Sequence, residues 1–330
     1  MKKIPVILGA TASGKTALAI ELALKFNAEI VSADSRQIYC ELTIGSAKPS
    51  PQALAAVPHH FINEKHLLED YDAASFAQAA WQRMKEILAR GKSVLVVGGS
   101  TLYLKSLIVG FSELPSAEPA LRARLYKELE TLGAEKLYER LKSLDPERAQ
   151  TLDPTKTQRL IRSLEVIELT GRKMSELQSA FHHAPPFEFE CLGLDVPRNA
   201  LYARINRRVD DMMRNGFLAE AQSLYHTFGT MHKQRKINAL ETVGYKELFA
   251  FLDGTYSLEH ATTLIKQHTR HYAKRQLTFF RHQLPVHWVD ASSLSFALNQ
   301  ISPILTQFAL DSIRSNMTKN SNISINELHH

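Results

Sequence analysis

Eight residues near the start of the chain, GATASGKT, match the phosphate-binding pattern G-x-x-x-x-G-K-S/T without a gap. In such a loop the glycines permit a tight turn, and successive main-chain N–H groups point at phosphate oxygens. The ammonium of Lys15 supplies a mobile positive charge, and the hydroxyl of Thr16 is placed to bind Mg²⁺. The sequence therefore predicts a ligand with a chain of phosphates, and Mg²⁺ as the cofactor. The predicted phosphate contacts are Gly9, Ala10, Thr11, Ala12, Ser13, Gly14, Lys15 and Thr16.

The other residues that a P-loop ATPase or GTPase needs for catalysis are not evident in the sequence. Such an enzyme usually has an apolar strand that ends in an acidic residue, which holds the metal. The best candidate strand here, SVLVVGGS, ends in Gly98, Gly99 and Ser100 instead. The sequence also shows no obvious guanine-reading motif and no arginine-rich lid. It thus predicts the binding of phosphates without predicting the transfer of a phosphoryl group.

Asp34 is the second residue that could do chemistry. It follows an apolar run in the stretch VSADSRQIY, so we expect it at the mouth of a crevice formed by strand ends. Asp34 or Ser35 could cap a short helix. Alternatively, the Asp34 carboxylate could accept a proton from a nucleophile as a general base. Spacing alone does not choose between the two roles.

Five short apolar runs predict the strands that position these residues. They do not alternate with polar residues, as expected of strands buried on both faces of a parallel sheet. Helical patterns separate the early runs, so the fold class predicted is α/β, a doubly wound parallel sheet of the P-loop NTPase type. The predicted strands are Ile4–Leu8, Glu29–Ala33, Ser93–Val97, Cys191–Val196 and Val286–Val289, and the helical patterns between the first three are Lys15–Phe26 and Ser75–Arg90.

Residues 115–186 interrupt the alternation of strands and helices. They contain amphipathic, charge-rich stretches such as LRARLYKELETLGAEKLYERLKSL, bounded by segments that contain proline. We predict a helical insertion domain at 115–186 within a discontinuous α/β core of residues 1–114 and 187–312. Long helical patterns at Ala200–Tyr225 and Leu258–Arg281 precede the last strand, and residues 313–330 are predicted to be a disordered tail.

Composition limits the class of protein. The net charge of +6 is compatible with an anionic partner but does not prove one. Cys40 and Cys191 are the two cysteines and lie far apart in sequence, which argues against a disulfide framework and favours a reducing compartment. No run approaches the ~18 apolar residues of a membrane span. We expect a cytoplasmic protein without a signal peptide or a membrane contact.

Taken together, the motifs resemble the tRNA dimethylallyltransferase family, the adenosine-37 isopentenyltransferases, in its bacterial form. The similarity covers the chain up to about residue 290. Besides the two stretches above, the matching segments are IGSAKPS (44–50), VGGSTLYLKSL (97–107), TQRLIRSLEV (157–166), RINRRVDDMMRNGFLAEAQSL (204–224), ALETVGYKEL (239–248) and HYAKRQLTFFR (271–281).

The resemblance implies a reaction. A dimethylallyl group would pass from dimethylallyl diphosphate to N6 of adenosine 37 in the anticodon loop of a tRNA, and pyrophosphate would leave. The partners implied are the tRNA anticodon stem-loop and dimethylallyl diphosphate, and we expect the protein to be a monomer. The phosphates held by the loop would then be the leaving group of a carbon donor.

The resemblance also implies residue roles. Asp34 would be the general base at N6, Lys15 and Arg208 would act on the diphosphate, and Ser100 would keep the hydroxyl of the family's threonine, although Thr101 replaces the glycine that usually follows. These four, Lys15, Asp34, Ser100 and Arg208, are the predicted catalytic residues. The predicted tRNA contacts are Asp34, Ser35, Arg36, Gln37, Ser100, Arg122, Gln158, Arg159, Leu160, Ile161, Arg162, Lys274, Arg275, Phe279 and Arg281.

Two other functions fit parts of the sequence. A small-molecule kinase would use ATP in the same loop, but it leaves the helical insertion and the basic helix near residue 275 without a role. A non-enzymatic RNA-binding protein with a P-loop would use the basic helices alone. From their residues only, the favoured interpretation is that these are ordinary amphipathic helices, whose aromatic residues pack on the sheet and whose charges are solvated.

Overall fold

A six-stranded β-sheet organises most of the chain in the computed structural model, which describes residues 3–180, 182–234 and 236–307. All six strands are parallel, in the order β3-β2-β4-β1-β7-β8. The strands, in chain order, are β1 (Lys3–Leu8), β2 (Ala28–Ala33), β3 (His59–His60), β4 (Ser93–Gly98), β5 (Phe111–Ser112), β6 (His182–His183), β7 (Glu188–Asp195) and β8 (Val286–Asp290).

The predicted α/β fold class is confirmed, and each of the five predicted strands exists. The largest difference is at β7, which begins at Glu188 rather than Cys191 because β1 pairs with it back to Lys3. The two-residue edge strand β3 was not predicted, since His59 and His60 are too few to show a periodicity.

Helices cover the sheet, and their apolar faces form its core with residues such as Ile7, Leu22 and Ile205. The pattern predicted as one helix over Ala200–Tyr225 is two helices, because Gly216 takes a left-handed φ of +97° between them. The helices of this unit are α1 (Lys15–Lys25), α2 (Pro51–Ala56), α3 (Ala73–Ala89), α4 (Thr101–Val109), α10 (Arg198–Arg214), α11 (Phe217–Gln234), α12 (Tyr245–Leu252) and α13 (Leu258–Gln283), and residues 294–307 are also helical.

The chain divides into two compact units. One contains the six-stranded sheet and comprises the described residues up to Ile108 and from Pro186 onward; the other is Val109–Pro185. The second unit contains α5 (Pro119–Leu132), α6 (Ala134–Leu144), α7 (Pro146–Gln150), α8 (Thr157–Thr170) and α9 (Met174–Ala180), and β5 pairs antiparallel with β6.

The second unit has its own apolar core, which includes Leu125, Leu141 and Leu164. Its helices are also tied by a buried carboxylate, since Asp145 accepts hydrogen bonds from the main chain of Arg148 at 3.1 Å and of Ser175 at 2.9 Å. This unit therefore has the packing of a small helical domain. The tail predicted at 313–330 lies outside the described residues, and within them no helix is both long and apolar enough to cross a bilayer.

Candidate active site

The phosphate loop joins β1 to α1 and has the conformation its sequence predicts. Gly14 lies at the N-cap of α1 with a left-handed φ of +95°, a conformation that favours glycine. The ammonium of Lys15 folds back over the loop and donates to the carbonyl oxygens of Gly9 at 3.0 Å and Ala10 at 2.7 Å. The loop thus presents the N-terminus of an 11-residue helix together with a cation, an arrangement suited to an anion.

Two cations share this loop. Arg208 on α10 donates from Nη1 to the hydroxyl of Thr11 at 3.4 Å. Burial, with Arg208 nearby, lowers the pKa of Lys15 to about 7, although Asp34 opposes the shift. Burial also lowers the pKa of Arg208, again against the influence of Asp34. A polyanionic ligand bound here would offset both effects.

Asp34 follows β2 and organises a turn. Its Oδ1 accepts hydrogen bonds from the main-chain N–H groups of Arg36 at 2.9 Å and Gln37 at 3.3 Å. Residues 35–38 form a turn and not a helix, so Asp34 is not a helix cap. Within the described part of the chain, Oδ2 of Asp34 accepts no hydrogen bond, so one oxygen shapes the turn and the other is free to accept a proton.

Ser100 joins the ends of β2 and β4. Its Oγ accepts a hydrogen bond from the main-chain N–H of Ser35 at 2.8 Å and lies 3.1 Å from the Ser35 hydroxyl. Thr101 begins α4 without a left-handed φ, so the local backbone accommodates a side chain where the family pattern has glycine. The polar ends of β2 and β4 therefore meet at one edge of the sheet, where the sequence places Asp34.

Two cavities adjoin the phosphate loop. The smaller, about 40 Å³, is lined by Lys15, Thr16, Asp34 and Gln37, among others. The larger, about 420 Å³, is lined by the loop residues Ala12 to Gly14, by Arg208 and by the segment after β8. The smaller cavity thus brings together the loop cation, the Thr16 hydroxyl and the Asp34 carboxylate.

Gln276 is a site residue that sequence reasoning missed. Its Oε1 accepts a hydrogen bond from the main-chain N–H of Thr11 at 2.9 Å, and its Nε2 donates to the Gly99 carbonyl at 2.7 Å. The side chain is buried on α13, where Ala273 and Phe280 are also buried. Gln276 falls at a position where the helical pattern predicts a buried apolar residue, and a polar residue at such a position could have identified it as a site residue.

Thr16 is the residue that would hold a magnesium ion. Among the described residues there is no group of three or more histidine, cysteine or acidic side chains that could hold a metal. Mg²⁺ commonly binds proteins through one or two side chains while substrate phosphates and water complete its octahedron. A single hydroxyl beside a phosphate loop, lining the same cavity as Asp34, fits that habit.

The predicted RNA contacts of the sheet unit differ in how they are held. Arg36 Nε donates to the Thr242 hydroxyl at 2.5 Å, which fixes its direction. Lys274 and Arg275 are exposed on α13, whereas Arg281 donates to Asp195 at 3.3 Å. Phe279 is half-buried and packs edge-to-face on Phe280. Basic and aromatic groups thus do reach the surface of this helix.

In the helical unit, two predicted RNA contacts share one buried carboxylate. Arg122 and Arg162 donate to Oε2 of Glu165 at 2.6 and 2.7 Å, while the Glu165 side chain is fully buried. The side chains of Leu160 and Ile161 are also buried, so their part in any RNA contact is to pack the helix that carries the arginines. Gln158 and Arg159 are exposed.

Comparison with known proteins gives one consistent family. The family model described as IPP transferase matches residues 37–283. The chain is 56% identical over 299 residues to the tRNA dimethylallyltransferase of Chlorobium chlorochromatii. The aligned region covers 90% of this chain and 96% of that protein. Among solved structures, the full-length tRNA isopentenylpyrophosphate transferase of Bacillus halodurans is 33% identical with a TM-score of 0.69, covering 96% of this chain and all of that one. A eukaryotic dimethylallyltransferase acting on tRNA is 30% identical with a TM-score of 0.79, covering 96% and 80% of the two chains.

Proposed function

Because the chain belongs to the IPP transferase family, it is a tRNA dimethylallyltransferase that modifies adenosine 37, and we propose that its phosphate loop holds the diphosphate of the prenyl donor. The resemblance drawn from the sequence motifs is confirmed. The observation that carries the site assignment is that Lys15, Thr16 and Asp34 line one small cavity. A carbon, and not a phosphoryl group, is transferred there.

The reaction has two chemical demands, and different residues meet them. The bond between C1 of the dimethylallyl group and the diphosphate oxygen must break, and the electron pair leaves with pyrophosphate. The loop N–H groups, Lys15 and Arg208 stabilise that charge, and one preorganised donor of this type contributes roughly 3 kcal/mol. The Thr16 hydroxyl would hold Mg²⁺, which would supply Lewis-acid stabilisation of the leaving group.

The second demand is at the nucleophile. As C1 bonds to N6 of adenosine, an N6 proton must be removed, and the acceptor would be the carboxylate of Asp34, a residue that lines the small cavity. General-base assistance of this kind contributes roughly 10²–10⁴-fold in rate. Ser100 holds the Ser35 main chain and so keeps the Asp34 turn against the end of β4. Orientation of the two reactants supplies a further part of the rate enhancement.

The same proposal assigns the tRNA contacts. The adenine must leave its stack to bring N6 to Asp34, as base-modifying enzymes require. Ser35, Arg36 and Gln37 would meet the target nucleotide, and the basic surfaces of α8 and α13 would bind the backbone of the anticodon stem-loop. The helical insertion, predicted at 115–186, would be a tRNA-binding domain. We expect a monomer that acts in the cytoplasm.

One experiment tests this function against its rivals. The protein is incubated with unmodified tRNA, dimethylallyl diphosphate and Mg²⁺. The tRNA is then digested, and the masses of its nucleosides are measured by mass spectrometry. We expect one adenosine to gain a dimethylallyl group, and a tRNA with guanosine at position 37 to remain unchanged. Phosphorylation of an acceptor by ATP would instead indicate a kinase, and tRNA binding without any mass change would indicate a non-enzymatic RNA-binding protein.

A further inference from the structure

The carboxylate of Glu220, on α11, is surrounded by main-chain N–H groups. Oε2 accepts hydrogen bonds from Thr43 at 3.2 Å and Ile44 at 2.8 Å, and Oε1 accepts one from Gly45 at 3.0 Å. The buried hydroxyl of Tyr245 donates to Oε1 at 2.6 Å. Charge-assisted hydrogen bonds to a carboxylate are about twice as strong as neutral ones, and the three from the main chain tie residues 43–45 to α11.

The packing of Gly45 shows that the anchored segment is closely fitted. A Cβ added at Gly45 would lie 2.3 Å from the ring of Phe217 and 2.5 Å from that of Tyr245. The main chain therefore rests directly on two aromatic side chains, which are perpendicular to each other at 5.1 Å. Only a glycine allows the approach that brings the N–H groups of residues 43–45 to Glu220.

The next two residues of the segment hold Gln37. Nε2 of Gln37 donates to the carbonyl oxygens of Ser46 at 3.3 Å and Ala47 at 3.0 Å. Gln37 also lines the small cavity with Asp34, whose Oδ1 accepts a hydrogen bond from the Gln37 main chain. The side-chain amide of Gln37 is thus oriented by carbonyl groups whose own position depends on Glu220.

We propose that Glu220 is a positioning residue for recognition of the target adenine: it fixes residues 43–47, which orient the amide of Gln37 in the cavity. The proposal rests on the proposed function, because it takes Asp34 and Gln37 as residues that meet the target adenine. The proposal gives a role to Glu220 in the stretch GFLAEAQSL and to Tyr245 in the stretch ALETVGYKEL, for which the motifs alone predicted no role. Glu220 acts at a distance from the substrate, through the main chain.

The test compares Glu220→Gln with Tyr245→Phe and with a control, Gln222→Ala, on the solvent-exposed face of the same helix. Glu220→Gln keeps the size of the side chain but replaces one acceptor oxygen by a donor, which faces main-chain N–H groups. We expect kcat/KM for tRNA to fall about tenfold or more, while the Kd of dimethylallyl diphosphate stays within about twofold of the wild type. Tyr245→Phe keeps the ring against Gly45 and should give a smaller loss of the same kind.

A double mutant separates positioning from plain stabilisation of the fold. If Glu220 acts through Gln37, adding Glu220→Gln to Gln37→Ala costs little more than Gln37→Ala alone. The proposal would be overturned if the two substitutions lowered kcat/KM for tRNA independently, so that their effects multiplied. It would also be overturned if Glu220→Gln weakened the binding of dimethylallyl diphosphate as much as it lowered kcat/KM for tRNA, or if Glu220→Gln had wild-type kinetics. If that variant does not fold, the same criteria apply to Tyr245→Phe. A wild-type protein that transfers no dimethylallyl group would instead refute the proposed function.

Discussion

The main-chain N–H of Thr11, in the phosphate loop, donates to Oε1 of Gln276, 265 residues further along the chain. A helix near the end of the described chain therefore helps to shape a loop near its beginning. Since Nε2 of the same side chain bonds to Gly99, one buried amide connects the end of β4 to the phosphate loop. The shape of the phosphate loop then depends on α13 as well as on the loop's own sequence.

Replacement of Gln276 should accordingly weaken the donor site. Gln276→Leu leaves two main-chain polar groups unpaired, each at a cost of about 1–3 kcal/mol, or allows the loop to shift. We expect the KM for dimethylallyl diphosphate to rise about tenfold and kcat to fall, as steady-state kinetics would measure. Thr278→Ala, at an exposed position of the same helix, should leave both constants unchanged. Wild-type donor kinetics in Gln276→Leu would show that the loop holds its shape without this amide.

The low pKa of Lys15 predicts how donor binding depends on pH. Its pKa is lowered to about 7, whereas a bound diphosphate favours the charged form and raises it again. Below about pH 7 the ammonium is already present, so affinity is near its maximum. Above it, binding must take up a proton, and the Kd should rise by up to about tenfold per pH unit.

Lys15→Arg is the matched control for this dependence. A guanidinium stays protonated over the whole range. The Kd of the wild type divided by the Kd of Lys15→Arg should therefore grow as the pH rises from about 7 to 9. The donor's own titration is common to both proteins and cancels in the ratio. Calorimetry of dimethylallyl diphosphate binding in two buffers would also report the proton uptake. A ratio that is constant with pH would contradict the assignment.

Substitutions of Asp34 and of Lys15 should affect turnover and donor binding differently. Asp34→Ala removes the proposed proton acceptor and should lower kcat by roughly 10²–10⁴-fold, while the Kd of dimethylallyl diphosphate stays nearly intact. Lys15→Ala should nearly abolish turnover and also weaken donor binding. Single-turnover kinetics with direct binding measurements would distinguish these losses, and equal loss of donor affinity in both variants would contradict the division of roles.

Local patterns predicted the parts of the molecule that depend on neighbours in sequence. The five longer strands of the sheet, the phosphate loop and the position of Asp34 at a strand end follow from short apolar runs and one motif. The helix break at Gly216 was missed because the amphipathic pattern continues across it. The hydrogen bonds from residues 43–45 to Glu220, and those of Gln276 with Thr11 and Gly99, could not be predicted, because each joins segments more than 170 residues apart.

Glu165 should stabilise the helical unit in a pH-dependent way. Burial raises its pKa, but hydrogen bonds from Arg122 and Arg162 outweigh burial and lower it overall from 4.5. A lowered pKa contributes stability that is complete above about pH 4.5 and is lost as pH falls through the folded-state pKa. Glu165→Gln should therefore cost about 1.5–3 kcal/mol at pH 7, and progressively less below pH 4.5.

Hydrogen exchange of α5 and α8 would measure this loss within the unit. Glu176→Gln is the control, because the Glu176 side chain is exposed and its pair with Arg172 is a surface pair. Such pairs contribute about 0–1 kcal/mol, so its effect should be small at every pH. Equal destabilisation by the two variants would show that the buried carboxylate has no special role.

The basic residues should differ in their share of tRNA binding according to whether a carboxylate already neutralises them. Within the described residues, Arg159 and Lys274 are exposed and form no ion pair, whereas Arg122 is paired with Glu165. Each phosphate contact contributes about 0.7–0.9 to the slope of log K against log salt concentration. Arg159→Ala and Lys274→Ala should therefore each reduce that slope by about this amount, and Arg122→Ala by less. Filter binding of tRNA between low and moderate salt would measure the slopes, and a wild-type affinity that does not change with salt would refute phosphate binding by these surfaces.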